Sequence, residues 1–66
     1  MSVAKTIEIS AESATSFDDA VKAGIAKASE TVHNIEGAYV KEQKVVVTDG
    51  AVSLYRVHMQ VTFRLD

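Results

Sequence analysis

LYRVHMQVTFRL, residues 54–65, alternates almost without fault. Tyr55, Val57, Met59, Val61, Phe63 and Leu65 share one face of an extended strand, and Arg56, His58, Gln60, Thr62 and Arg64 share the other. Successive side chains of a strand point to opposite sides, so the two sets part cleanly. The apolar face predicts a core. The polar face looks at water, at a ligand or at another chain.

Working upstream, Asp49-Gly50 is a strong tight-turn signal, and a second strand over roughly residues 38–47 precedes it. Before that strand, Phe17, Val21, Gly24, Ile25, Ala28, Val32 and Ile35 recur at helical spacing. Ser16 heads this segment as an N-cap, with Asp19 placed to reach back as in a capping box. Gly24 within the apolar stripe costs ~1 kcal/mol of helix propensity, which either a close helix–sheet approach or mere tolerance explains. Residues 3–9, VAKTIEI, alternate as a first strand, and SAESAT reads as a loop. The expected fold is α+β, in the order β-α-β-β. An antiparallel sheet then needs strand order 1-3-2, wrapped around one helix as a single domain over residues 1–66.

Sixty-six residues lie near the lower limit for independent folding, where disulfides, a metal or partner subunits usually help. The absence of cysteine removes disulfides and thiolate metal sites, and His33 and His58 lack ligand-like spacing. A net charge of −2 with interspersed signs does not suit a nucleic-acid binder. No apolar run has the length of a membrane span, and the opening MSVAKTIEIS lacks a signal-peptide core, so a soluble cytoplasmic protein is expected. No Ser/His/Asp order or metal-activated base emerges, and an enzyme is not expected.

Lengths point to self-association. A third strand of ~40 Å overhangs a helix of about eighteen residues and ~27 Å, leaving Phe63 and Leu65, or Tyr55, to be covered by something else. Val45, Val46 and Val47 make the second strand apolar on both faces, an edge that invites pairing with another chain.

The opening IEIS, the run SFDDAVKAGIAKASETVHNIEGAYVKEQ and the closing YRVHMQVTFRLD together resemble the dodecins, over essentially the whole chain. The resemblance implies a homo-dodecameric hollow shell of tetrahedral symmetry, helices outward and polar sheet faces inward, that binds or stores a small ligand. In that family the ligand is typically a flavin such as riboflavin, FMN or lumichrome, stacked on a tryptophan and bonded by a glutamine amide. Those positions fall here on Gly37, which offers no π surface, and on Arg56, which can only donate hydrogen bonds. Weak flavin binding is therefore implied. The alternative is a structural or ion-binding assembly that holds calcium or magnesium.

Each candidate has a plainer reading beside the functional one. Arg56 either contacts a ligand or pairs with Glu42 or Glu8 across a subunit interface, and pairing is favoured. Tyr39 either replaces the missing stacking ring or packs an interface, and the interface is favoured. His58 is expected to be a satisfied hydrogen-bonding residue rather than a switch or metal ligand. His33 is expected to offset the helix dipole. Glu8, Glu42 and Asp49 are oxygen donors that symmetry can gather around a divalent cation, although solvated or paired carboxylates are the simpler expectation.

Overall fold

The longest strand organises the molecule. In the computed structural model, which describes residues 3–65, β3 (Ala51–Leu65) pairs antiparallel with β1 (Val3–Ser13) on one side and β2 (Ile35–Thr48) on the other. The sheet order is β1-β3-β2, and one helix, α1 (Phe17–Ala28), packs on its apolar face. This is the α+β arrangement expected. Met1, Ser2 and Asp66, the ends of the domain read from the sequence, lie outside the described residues.

The hairpin forms where Asp-Gly predicts it. Asp49 (φ 51°) and Gly50 (φ 78°) both take positive φ, as a two-residue turn between the paired Thr48 and Ala51 requires. Ser16 caps α1, its hydroxyl accepting from the Asp19 N–H at 3.0 Å. The Asp19 carboxylate does not close a capping box. It accepts instead from the Ser13 hydroxyl at 2.6 Å, while Thr15 N–H donates to that same oxygen at 2.9 Å. The buried Ser13 thus fastens the end of β1 to the start of α1.

Expected boundaries move, and β2 begins at Ile35 rather than near residue 38. β1 runs on through the segment read as a loop, because β3 is long enough to pair it as far as Glu12 with Arg56 and Ser13 with Tyr55. The helix stops at Ala28, and Val32 and Ile35 are not part of it. Ser29, Thr31, Val32, His33 and Asn34 are weak helix formers. Asn34 turns the chain in left-handed backbone (φ 63°), which lets Ile35 begin β2 opposite Phe63. His33 therefore sits five residues beyond the helix, away from the dipole it was expected to offset.

Ala20, Val57 and Met59 form a fully buried cluster with Ile9, Ala11, Phe17, Val21 and Val40 packed around it, and Val61 is fully buried as well. Gly24 is a close approach. A Cβ there would lie 2.9 Å from Met59 Cε and 3.0 Å from Ala11 Cβ. Phe17 covers Tyr55 edge-on at 5.2 Å between ring centroids, so that end of β3 finds its cover within the chain. Leu65 and Val3 at one end, and Val45, Val47 and Val52 at the other, remain exposed.

Candidate functional site

The polar face of the sheet is built by register. β3 contributes Arg56, His58, Gln60 and Thr62, and β1 sets Glu12, Ser10, Glu8 and Thr6 opposite them in turn. On the other flank β2 sets Lys44 opposite Arg56, Glu42 opposite His58, Tyr39 opposite Gln60 and Gly37 opposite Thr62. A bulge between Val40 and Glu42 inserts Lys41, whose ammonium crosses β3 to reach Glu8 Oε1 at 3.3 Å.

These side chains satisfy one another across strands. Arg56 Nε donates to Glu12 Oε1 at 2.6 Å. His58 bonds Ser10 Oγ through Nδ1 at 3.0 Å and Glu8 Oε1 through Nε2 at 2.7 Å. The Glu8 carboxyl is held below the ordinary glutamate value, first by its bond to His58 and then by Lys41. Hydroxyl, imidazole and carboxylate follow the order of a nucleophilic triad. Here they tie an edge strand to the central one, and Ser10 lies within a strand rather than on an exposed turn.

The expected partners of Arg56 were Glu8 or Glu42 in another chain, but Glu12 of its own chain takes it. Glu12 and Ser10 lie beyond Ile9, where the sequence reads as a loop, and Lys41 reaches this face only through the bulge in β2, which the sequence does not signal. Continuing the antiparallel register of β1 would have placed Ser10 beside His58 and Glu12 beside Arg56. His58 is satisfied, as expected. Glu42 and Lys44 find no side-chain partner among the described residues and, with Ser10, Arg56 and His58, line a shallow depression of about 170 Å³. Asp49 is at the hairpin tip, away from Glu8 and Glu42. Among the described residues no three His, Cys, Asp or Glu converge as metal ligands.

A family model described as Dodecin matches residues 3–66. The chain belongs to the dodecin family. The calcium dodecin of Mycobacterium tuberculosis is 34% identical over 65 residues, covering 98% of this chain and 92% of the relative. The structure of the dodecin from Streptomyces davaonensis superposes with a TM-score of 0.94 at 34% identity, covering 98% and 96% of the two chains. The crystal structure of the calcium-chelating Mycobacterium tuberculosis calcium dodecin gives 0.83 at 32% identity, covering 97% and 91%.

In this dodecin, Gly37 and Arg56 share the polar face but not one locality. Gly37 is level with Thr62, six residues along β3 from Arg56 and so ~20 Å away. Tyr39, beside Gly37 on the same face, is 66% exposed.

Proposed function

We propose that this dodecin assembles into a closed homo-oligomeric shell, most simply a dodecamer, whose polar sheet faces hold or store a small ligand without catalysis. The observation that carries this reading is the shape of the protomer. Its radius of gyration is 13.6 Å, against roughly 11 Å for a compact domain of this length. Its accessible surface is 4636 Å², against roughly 4,100 Å² for a folded monomer of its mass. Apolar side chains stand exposed at both ends of this 51 Å body. Such a protomer leaves its burial to be completed by neighbours.

Flavin is a poor fit for the ligand. Gly37 supplies no ring to stack on, a loss on the order of 1–3 kcal/mol. The Arg56 guanidinium, already engaged by Glu12, has no acceptor to offer a pyrimidine edge. Titration of riboflavin fluorescence should show weak quenching or none, and tight quenching would contradict this assignment. A second reading, a shell for divalent cations, is favoured by the calcium dodecin relative and by the unpaired Glu42. Its site would have to be shared between copies. Mass spectrometry of ligands and metals released from natively purified oligomer separates the two readings. Neither a small molecule nor a cation in proportion to the chain would refute storage.

A further inference from the structure

We propose that His58 is a pH-sensitive exchanger at Glu8: when its imidazole takes a second proton it keeps the carboxylate and releases the Lys41 ammonium from it. The contacts lie within one chain, so the inference goes beyond the shell reading and stands or falls apart from it.

The geometry is a shared acceptor. His58 Nε2 and Lys41 Nζ reach the same oxygen, Glu8 Oε1, at 2.7 and 3.3 Å. An ionised carboxylate only accepts, so Nε2 carries the proton of the neutral ring. Nδ1 is left to accept from the Ser10 hydroxyl at 3.0 Å. Protonation puts a second N–H at Nδ1, and a hydroxyl can turn to accept it. Ser10 therefore serves both states, and the ring charges without leaving its place. Its bond to Glu8 becomes an ion pair and strengthens. Lys41 loses by the same event. A second cation now holds its oxygen, within ~6 Å of the ammonium. The Lys41 bond is the longer of the two and its side chain is 40% exposed, so water readily takes its place.

The neighbouring charges set the balance. Facing His58 are Glu8 and Glu12 from β1, Lys41, Glu42 and Lys44 from β2, and Arg56 on its own strand. Three carboxylates match three fixed cations while the ring is neutral, and protonation leaves one positive charge in excess. That excess appears as a free ammonium on β2, at the bulge that carries Lys41 to this face. The polar face thus passes from charge-balanced to anion-attracting as His58 titrates, around the ordinary histidine value of about 6.5. Glu8 stays ionised over that range, since His58 first and Lys41 second hold its carboxyl below 4.5.

Crystal structures of the protein at about pH 8 and about pH 5 test the exchange, on either side of the histidine range. His58→Gln is the control, because a glutamine amide donates to Glu8 but takes no proton. In the wild type Lys41 Nζ should lie on Glu8 at the higher pH and away from it at the lower, with Ser10 and Glu8 still holding His58. In His58→Gln it should stay on Glu8 at both. Lys41 bound to Glu8 at both pH values in the wild type would overturn the proposal. So would His58 swinging free at low pH, or release of Lys41 in His58→Gln as well, which would trace the change to Glu8 itself. Histidine 15N NMR of the wild type adds a reading that needs no variant to fold. His58 should be the Nε2–H tautomer at the higher pH and keep both ring bonds when charged, and an Nδ1–H tautomer there would overturn the exchange.

Discussion

Glu8 holds three strands at one carboxylate, on β1 itself, through His58 on β3 and through Lys41 on β2. Those bonds favour its ionised form and lower its pKa, so folding is favoured while Glu8 is charged. The stabilisation is present above the ordinary value of 4.5 and is lost as pH falls through the lower folded value. Glu8→Gln should therefore lose stability at neutral pH and show a flatter decline as pH falls below the ordinary value of 4.5. Thermal melts across that range check it, and parallel profiles for wild type and variant would contradict it. Gly24 is the other residue whose environment decides its identity. A methyl there meets Met59, which is fully buried and has little room to yield, and Ala11. Overpacking of ~1–3 kcal/mol opposes a helix-propensity gain of ~1 kcal/mol. Gly24→Ala should lower the melting temperature, with a net cost of about 1 kcal/mol. A rise would mean that Met59 has space to move.

At the scale of elements, the junction between β1 and α1 depends on two serines with different duties. Ser16→Ala removes one cap and should cost about 1 kcal/mol. Ser13→Ala leaves the Thr15 N–H and the Asp19 carboxylate without their shared partner in a part-buried corner, at about 1–3 kcal/mol. Urea unfolding should rank Ser13→Ala as the more harmful, and the reverse order would contradict the structural role given to Ser13. The central strand was legible in the sequence because it is buried on one face only, and alternation records that directly. The sheet order followed from the single helix and the Asp-Gly turn. The extent of β1 was not legible, since Ala11 and Ser13 are small and owe their extended state to pairing with Val57 and Tyr55. The helix end was hidden for the opposite reason. Val32 and Ile35 fit the helical stripe by spacing, yet Ile35 is claimed by Phe63 on β3. The early end read for β1 is what hides Glu12 as the partner of Arg56 within the chain.

For the whole molecule, the corrected lengths sharpen the case for assembly. The twelve-residue helix spans ~18 Å of a fifteen-residue strand that spans ~50 Å. The overhang is therefore larger than the sequence suggested, and it is apolar at both ends. No disulfide is available to offset so small a core, since the chain has no cysteine. A free protomer would expose Val3, Val45, Val47, Val52 and Leu65 together with an unpaired β2 edge. Native mass spectrometry, with light scattering at micromolar chain concentration, tests this most directly. The account predicts one closed species at the mass of a dodecamer, without a series of open intermediates. A stable, folded monomer under the same conditions would contradict it.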